Sequence, residues 1–228
     1  MPFLFACAAL AAPAAAAERR FTVTDFDRVQ VEGPFEVVLV TGKAPSAIAT
    51  GDSQAALDRV SVDVQGRTLR VRANASAWGG YPGKGAGTAR VALSTHDLRA
   101  VTVAGAGLLD VDRVRAMRFD AALSGTGRLG IGSVESDNLV VGLLGSGTIA
   151  LAGKAKMLRA TVQGAGNLEA EGLVVEDLDL SAATAGIAAV TARRTAKITS
   201  HGAGELRISG KPACTVSQRG PGPVACGD

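Results

Sequence analysis

Residues 119–151 read FDAALSGTGRLGIGSVESDNLVVGLLGSGTIAL, and they contain two copies of one pattern. In each copy, apolar residues occupy every second position before a Gly-x-Gly motif and again after it. The two motifs, Gly125-Thr126-Gly127 and Gly145-Ser146-Gly147, begin 20 residues apart. Apolar residues at every second position are typical of a β-strand, whereas a helix repeats them every three or four positions. Each copy therefore predicts two strands joined by a glycine turn.

The same small-residue motif occurs six times in the chain, and its copies begin 18 to 20 residues apart. Glycine suits a tight corner because it adopts positive φ and because its missing Cβ lets a neighbouring backbone come close. We therefore predict structural corners at the eleven glycines of these motifs. In chain order the motifs are Gly105-Ala106-Gly107, Gly125-Thr126-Gly127, Gly145-Ser146-Gly147, Gly164-Ala165-Gly166, Thr184-Ala185-Gly186 and Gly202-Ala203-Gly204.

A repeat of this length predicts an all-β, single-domain parallel β-helix, which is a solenoid with coils of about 20 residues. Crossover helices are excluded, because a connection of about a dozen residues does not fit between the strands of one repeat. Equivalent inward residues of successive coils should form ladders along the axis. Leu123 is therefore expected beside Leu143, and Leu143 beside Val162.

The chain before the repeat is less regular but still strand-like. Between residues 21 and 98, alternating segments such as Val60-Ser61-Val62-Asp63-Val64 predict irregular N-terminal coils. We expect residues 21–40 to cover the open end, because an uncapped coil exposes pairing edges. At the other end, Lys211-Pro212 and the segment after it should stop the ladder. The predicted organisation is a short lead at 18–25, the β-helix domain at 26–210 and a tail at 211–228.

Two further segments carry a resemblance to a known family. Residues 26–37 read FDRVQVEGPFEV, and residues 66–71 read GRTLRV. Together with the Gly-x-Gly repeats, they make the chain similar to the putative auto-transporter adhesin head (GIN) domain family over roughly residues 26–210. The resemblance implies an exported single domain with a β-helical fold and an adhesin-like role. It implies no established activity and no set of catalytic residues.

The first residues predict export. Residues 1–17 read MPFLFACAALAAPAAAA, and such an uncharged apolar run with small residues at its end is typical of a signal peptide. Cleavage is expected between Ala17 and Glu18, while a short buried N-terminal helix and lipidation of Cys7 stay open as alternatives. The run is shorter than the roughly 20 residues of a membrane span. The mature chain is therefore expected to have no transmembrane segment and to be periplasmic, on the outer-membrane surface or secreted.

Cysteine use agrees with an exported chain. Cleavage would remove Cys7 and leave Cys214 and Cys226 of the three cysteines. An even number of cysteines in an exported protein favours a disulfide. The two residues flank a polar, turn-rich segment, so a disulfide would hold a tail that otherwise frays. Two free thiols are the open alternative.

Charge and motif content exclude several classes of function. The chain has 24 basic and 21 acidic residues, which are interspersed, and aromatic residues make up only 4%. Nucleic-acid binding needs clustered cations or stacking rings, so no nucleic-acid partner is predicted. The segment from Gly125 to Gly130 imitates a dinucleotide fingerprint, but a predicted strand follows it where a helix is required. No cofactor is therefore predicted.

The two histidines do not complete a reactive site. His96-Asp97 resembles half of a general-base pair, but no Gly-x-Ser-x-Gly nucleophile motif accompanies it. His201 stands beside a corner glycine, and we predict that both histidines lie on the surface. Neither histidine has further ligands at the spacing of a metal site. The sequence predicts no catalytic residue and no metal site.

One segment outside the repeat is a candidate ligand contact. Residues 73–88 read ANASAWGGYPGKGAGT and contain the only tryptophan and the only tyrosine, Trp78 and Tyr81. Exposed rings bring a large contact area, so this loop is a possible site for stacking on sugars or for binding a protein. The alternative is that both rings pack on the solenoid wall.

These observations favour a non-catalytic binding, adhesin-like or structural module of the cell envelope, with an envelope polysaccharide or a surface protein as its partner. The alternative is a carbohydrate-active enzyme, a polysaccharide lyase or hydrolase, which requires a groove with clustered carboxylates or with a carboxylate, a cation and a basic residue. A polymerising scaffold is a third possibility, and the predicted caps argue against it. The carboxylates whose clustering would favour the enzyme alternative are Asp110, Asp112, Glu135, Asp137, Glu169, Glu171 and Asp179.

Overall fold

The computed structural model describes residues 17–74 and 89–227, so most of the predicted signal peptide and the segment with Trp78 and Tyr81 lie outside the described residues. The first elements are β1 (Ala17–Phe21), β2 (Arg28–Glu32), β3 (Glu36–Thr41), β4 (Ser46–Gly51), α1 (Gln54–Asp58), β5 (Val60–Gln65), β6 (Thr68–Ala73) and β7 (Ala89–Thr95). The repeat follows with β8 (Ala100–Gly105), β9 (Leu108–Val111), β10 (Val114–Gly125), β11 (Arg128–Gly145), β12 (Thr148–Gly164), β13 (Asn167–Thr184), β14 (Ala188–Ser200), β15 (Leu206–Ser209), β16 (Ala213–Gln218) and β17 (Val224–Cys226).

Parallel coils of about 20 residues stack into a β-solenoid of about six turns, which confirms the predicted fold. Successive long strands pair in parallel from β10 to β14, and each runs through more than one side of its coil. We define three walls by their place in the coil. The first wall holds segments that lead into a glycine corner, such as 119–125. The second wall follows the corner, as in 128–131, and the third wall carries the chain back, as in 134–138.

Inward side chains of the first wall form the predicted ladder. Leu123 pairs in register with Leu143, and Leu143 pairs with Val162. All three side chains are at most 2% exposed. Each aliphatic side chain buried in this way stabilises the fold by about 1.5–3 kcal/mol relative to exposure. The ladder thus supplies the core mainly with aliphatic residues, and one ring, Phe119, is fully buried on the same wall.

The glycine corners bring successive backbones into contact. Gly125 has φ +119°, and a Cβ at this position would lie 2.5 Å from the carbonyl oxygen of Gly105. That oxygen accepts hydrogen bonds from the backbone N–H groups of Thr126 and Gly127, both at 2.9 Å. A side chain at Gly125 would therefore strain its own backbone and displace the neighbouring coil.

Residues 28–41 lie inside the stack, so the expectation that residues 21–40 cover the open end is wrong. β2 lies between β6 and β8, and β3 lies between β7 and β9. The segment Gly33-Pro34-Phe35 acts as a corner, with φ +106° at Gly33. Phe35 replaces the second glycine of the motif, which hides this copy in the sequence. The inward ladder positions around it are Val29, Val31, Val37 and Leu39.

A buried carboxylate links this coil to its neighbours. Asp27 is 6% exposed and precedes β2. Its carboxylate accepts a hydrogen bond of 3.1 Å from the Nε of Arg67, beside β6, and lies 3.7 Å from the Nε of Arg99, beside β8. One charge in the middle coil therefore faces cations from the coils on both sides, which favours this order of stacking.

The N-terminal end is closed by antiparallel strands and a helix. β4 pairs antiparallel with β7, and β1 pairs antiparallel with β4. α1 begins after Ser53, whose hydroxyl accepts a hydrogen bond from the N–H of Ala56, as in a regular N-cap. Leu57 of this helix is fully buried in the core. Glu18 and its neighbours are part of this closure as residues of β1.

The C-terminal residues form one further coil, so the expectation that Lys211-Pro212 and the following loop stop the ladder is wrong. β16 pairs with β14, and β17 pairs with β15, in parallel. A corner at Gly220-Pro221-Gly222 lies on Gly202-Ala203-Gly204, and the Gly222 N–H donates to the Gly202 oxygen at 3.2 Å. The predicted disulfide joins Cys214 and Cys226. Each cysteine occupies a core-ladder position, since their register partners are Ala196 and Ile208.

Candidate functional site

A concave region of about 780 Å³ lies on the third wall, and we call it the third-wall groove. Apolar residues contribute to it from successive coils, including Ala116, Ala155 and Val175. Met117 lies beside them and is 80% exposed. The charged residues of the groove are Arg115, Glu135, Asp137, Lys154, Lys156, Glu176 and Arg193. The groove therefore combines an apolar surface with charges of both signs.

Unequal coil lengths shift the register next to the groove. The coil from Gly145 to Gly164 is one residue shorter than the coil before it, and the strand register shifts between Ala150 and Gly153. Gly153 absorbs the difference with φ +118°. A Cβ there would lie 2.2 Å from the carbonyl oxygen of Val134. Only glycine fits this position without moving the neighbouring coil.

Charged side chains of three successive coils meet at Glu135. Its carboxylate lies 3.1 Å from the Nζ of Lys154 and 3.0 Å from a guanidinium nitrogen of Arg115. The hydrogen bond from Lys154, followed by the charges of Lys154 and Arg115, lowers the pKa of Glu135. The carboxylate thus stays ionised, because its negative charge is stabilised from two sides.

A second set of pairs follows along the same wall. The Nζ of Lys156 lies 2.8 Å from the carboxylate of Asp137, and that hydrogen bond raises the pKa of Lys156. Further along, Asp177 accepts a hydrogen bond of 2.6 Å from the hydroxyl of Thr195 and another from Arg194. These two contacts lower the pKa of Asp177, with the Thr195 bond as the larger cause. Opposite charges on adjacent strands stabilise this stacking order.

Two charged side chains of the groove make no direct ion pair in the described part of the chain, although the charge of Glu176 acts on Lys156 and Arg194. Glu176 and Arg193 line the groove, and neither belongs to an ion pair within residues 17–74 and 89–227. Arg193 is exposed, and the exposed thioether of Met117 lies in the same groove. The groove can therefore offer a cation, an anion and an apolar contact to a single ligand. It is the candidate binding site of the described structure.

The seven candidate carboxylates of the enzyme alternative lie on different walls. Glu135 and Asp137 are on the third wall, and Asp179 is on the first wall. Asp179 lies 3.7 Å from the Nε of Arg159, and Glu169 on the second wall lies 3.6 Å from Arg128. The others stand on or beside the second wall: Asp110, Asp112 and Glu171. The structure thus brings Glu135 and Asp137 into the third-wall groove, where both are paired with cations, and it brings Glu169 and Glu171 into a second concavity beside the second wall.

The remaining sequence-predicted site residues lie apart from the groove. His96 is exposed, and its backbone oxygen accepts a hydrogen bond of 3.1 Å from the N–H of Gly42. His201 is exposed next to the Gly202 corner. Trp78 and Tyr81 lie outside the described residues, so their role in ligand contact stays a prediction. Cleavage before Glu18 also stays a prediction, because residues 1–16 are outside the described part.

Sequence reasoning did not find the third-wall groove, although a signal existed. Arg115, Glu135 and Lys154 recur with the coil period and alternate in sign. The single 19-residue spacing between Gly145 and Gly164 marked the coil where the register shifts. Both signals depend on the third wall, whose segments have weaker apolar alternation than the other two.

No helix in residues 17–74 and 89–227 combines the length and the apolar character that a membrane crossing needs. Within the same residues, no group of three or more His, Cys, Asp and Glu side chains is arranged to hold a metal ion.

Comparison with known proteins gives the family. Residues 25–212 match the family described as "Putative auto-transporter adhesin, head GIN domain". The chain belongs to this family. The resemblance carried by residues 26–37, residues 66–71 and the repeats is thereby confirmed. No curated protein matches the chain.

Several solved structures share the fold. A putative adhesin from Bacteroides fragilis is 19% identical with a TM-score of 0.84, covering 92% of this chain and 96% of that one. A putative lipid binding protein from Parabacteroides distasonis is 20% identical with a TM-score of 0.70, covering 93% and 97%. A putative adhesin from Parabacteroides merdae is 20% identical with a TM-score of 0.64, covering 93% and 96%. At these identities the likeness shows the fold of the GIN domain alone.

The family and the disulfide suggest an extracellular or envelope protein. The description of the family names an adhesin head domain. A binding or adhesin-like role is therefore supported at the level of the family.

Proposed function

We propose that this GIN domain is a non-catalytic binding module of the cell envelope that holds its partner in the third-wall groove. The observation that carries the proposal is the make-up of the groove. Its apolar surface lies next to paired charges, while Arg193 and Glu176 have no ion-pair partner within the described residues. Such a surface suits a polymer with charged and apolar groups, either an envelope polysaccharide or a surface protein.

The electrostatics of the groove support binding over hydrolysis. A glycoside hydrolase needs one carboxyl group whose pKa is raised, so that it can donate a proton to the leaving oxygen. The pKa of Glu135 is lowered instead, because Lys154 and Arg115 stabilise its charged form. Asp137 is held beside Lys156 at 2.8 Å. Of the three carboxylates that line the groove, Glu135 and Asp137 are thus arranged as ion pairs, and Glu176 is not.

The rigid solenoid supports adhesion. Each coil is hydrogen bonded to the coils on either side, and the ladders are buried along the axis. A binding wall built on such a scaffold changes little when a partner docks, so little conformational entropy is lost. The Trp78 and Tyr81 loop is a second predicted contact. Export through the predicted signal peptide, with cleavage between Ala17 and Glu18, would place the domain in the periplasm, on the cell surface or outside the cell.

The proposal is tested with the mature protein, residues 18–228, on a glycan array and in a pull-down from solubilised envelope. Arg193→Gln removes the free cation of the groove. Lys197→Gln is the matched control, because Lys197 is an exposed cation without an ion pair in the described structure and lies on the same strand but on the first wall. Binding should fall by about tenfold in Arg193→Gln and stay unchanged in Lys197→Gln.

The same protein should be incubated with the bound glycans, and the release of reducing ends or unsaturated sugars should be measured. We expect no release. Release that Glu135→Gln abolishes would overturn the proposal in favour of the carbohydrate-active alternative. Equal binding by Arg193→Gln and the unsubstituted protein would remove the third-wall groove as the site. Vesicles belong among the probes, because one structural neighbour is named a lipid binding protein.

A further inference from the structure

The last coil, residues 211–227, differs from the coils below it in how its core positions are covered. Val216 occupies the ladder position above Ile198, and it is 43% exposed while Ile198 is fully buried. Val224 stands above Leu206 in the same way and is half-buried. The apolar residues of this coil therefore gain only part of the burial that holds the inner coils.

Backbone pairing also holds the last coil from one side only. β16 pairs with β14 and β17 pairs with β15, and no strand of the described residues pairs with their outer edges. At an inner corner, the Gly125 oxygen accepts hydrogen bonds from the next coil, including one of 2.9 Å from Gly147. At the last corner, the side chain of Gln218 takes this place. Its Nε2 donates to the oxygens of Gly220 and Gly222 at 3.3 and 2.8 Å.

The disulfide adds a covalent link within this coil. Cys214 lies on β16 and Cys226 on β17, so the bond joins the two strands of the last coil across the end of the core. Cys214 is exposed and Cys226 is half-buried, so a reductant in solution can reach the bond. Below it lies a layer that is at most 1% exposed: Ala196, Ile198, Leu206 and Ile208.

We propose that this disulfide is a redox-controlled latch that keeps the last coil closed over the core, and that reduction releases residues 211–227 while the inner coils stay folded. The reductant is a dithiol. One of its thiolates attacks the sulfur of the first cysteine in the Cys214–Cys226 bond and forms a mixed disulfide with it. The other cysteine leaves as a thiolate and takes up a proton. The second thiol of the reductant then displaces the first cysteine. Two electrons pass to the protein, and the reductant becomes a disulfide.

Release stays local because solenoid coils are stabilised mainly by their nearest neighbours. The coils from β10 to β13 have pairing on both sides and buried ladders, and Cys214 and Cys226 lie on other strands, β16 and β17. The released state exposes the Ile198 and Leu206 layer together with the edges of β14 and β15. Reduction thus moves the unpaired strand edges from β16 and β17 to β14 and β15 and uncovers the apolar layer beneath them, a surface suited to association.

Hydrogen exchange of the mature protein, with and without dithiothreitol, tests the latch. After thiol counting shows both cysteines reduced, amides of residues 213–218 and 224–226 should exchange at least about tenfold faster. Amides of residues 119–145 should keep their protection. Unchanged protection of the last coil in the reduced protein would overturn the proposal, and so would a simultaneous loss of protection in all coils.

A variant separates the loss of the bond from other effects of the reductant. Cys214→Ser with Cys226→Ser should exchange like the reduced protein in the absence of dithiothreitol and should not respond to it. Thr215→Ser is the matched control on the same strand, and it should respond to dithiothreitol like the unsubstituted protein. A double variant that keeps the protection of the oxidised protein would contradict the latch. If the double variant does not fold, the reduction experiment still decides the question.

Discussion

The two ends of the solenoid are closed by different means. At the N-terminal end, β4 pairs antiparallel with β7 and β1 pairs antiparallel with β4. Helix α1 places the fully buried Leu57 into the core. At the C-terminal end, a parallel coil leaves Val216 43% exposed, and the Cys214–Cys226 bond and the Gln218 amide hold it. One end is closed by hydrophobic burial and the other by covalent and polar links.

Because the two ends are closed by different interactions, the stability of each end depends on different solution conditions. Hydrophobic closure depends on the area removed from water and is indifferent to redox state. A disulfide depends on the redox compartment. The N-terminal end should therefore stay closed wherever the domain folds, while the closure of the C-terminal end requires an oxidising environment. The middle coils have neighbours on both sides, so their stability is the reference with which the stability of each end is compared.

The largest effect is expected in the middle of the molecule. Leu143→Asp places a charge in a ladder between two coils, at a position that is 2% exposed, and the buried charge has no partner. We expect the variant to unfold or to be recovered only as aggregate. Leu144→Asp is the matched control, because the neighbouring Leu144 is 56% exposed. Circular dichroism and thermal melting check both proteins, and a soluble Leu143→Asp with unchanged melting would contradict the register of the coils.

The same substitution at the two ends tests their difference directly. Leu57→Asp should destabilise the protein by about 3–4 kcal/mol, because it removes the apolar closure and buries a charge. Val216→Asp should cost only about 1 kcal/mol, because its side chain is 43% exposed and gains only part of the burial of an inner ladder position. Denaturant unfolding of the oxidised proteins measures both values. Similar losses at the two positions would show that the ends are closed alike.

A smaller and local effect is expected from the polar link. Gln218→Ala removes two hydrogen bonds to the last corner and should loosen residues 219–226 by about 1 kcal/mol. Hydrogen exchange should be faster in this segment and unchanged at the N-terminal end. Ser217→Ala is the control, because Ser217 is exposed on the same strand and makes no side-chain hydrogen bond among the contacts of the described residues. No difference between the two variants would leave Gln218 without a capping role.

Acid should loosen the third wall without opening the N-terminal end. The folded-state pKa of Glu135 is lowered, so its ion pairs contribute stability above the unfolded pKa and lose it as the pH falls through the folded value. Melting temperatures measured from pH 7 to about pH 3 should fall less steeply in Glu135→Gln than in the unsubstituted protein. The effect is small, because these charges are on the surface. An equal slope in both proteins would mean that the pairs with Lys154 and Arg115 do not stabilise the wall.

The parts of the fold that could be predicted were those that repeat without exception. Leu123, Leu143 and Val162 stand at fixed distances from their glycines, so their ladder followed from spacing alone. The coil around Gly33 was missed because Phe35 replaces the second glycine. The last coil was missed for a different reason. Cys214 and Cys226 stand where aliphatic residues stand in other copies, so they drew attention to a disulfide loop and away from the pattern around Gly220 and Gly222.

The candidate site was harder to predict, because it depends on a difference between coils. A single missing residue before Gly153 shifts one coil against its neighbours, and no property of an isolated repeat records such a shift. The antiparallel β1 and β4 also follow no repeat, since their partners β4 and β7 are set by tertiary contacts. The Trp78 and Tyr81 loop stays a prediction drawn from composition.

The parallel register has a consequence for how such a protein changes in evolution. Because Gly125 lies directly over Gly105 and Gly145 directly over Gly125, duplication of residues 125–144 would insert a complete coil with its corner and ladders in place. The molecule would lengthen by the strand spacing of about 4.8 Å. If the same unit were inserted next to the coil that contains Gly153, it would separate the paired side chains of adjacent coils, such as Glu135 and Lys154. Gain or loss of whole coils is therefore a route by which this scaffold can acquire new partners while keeping its core.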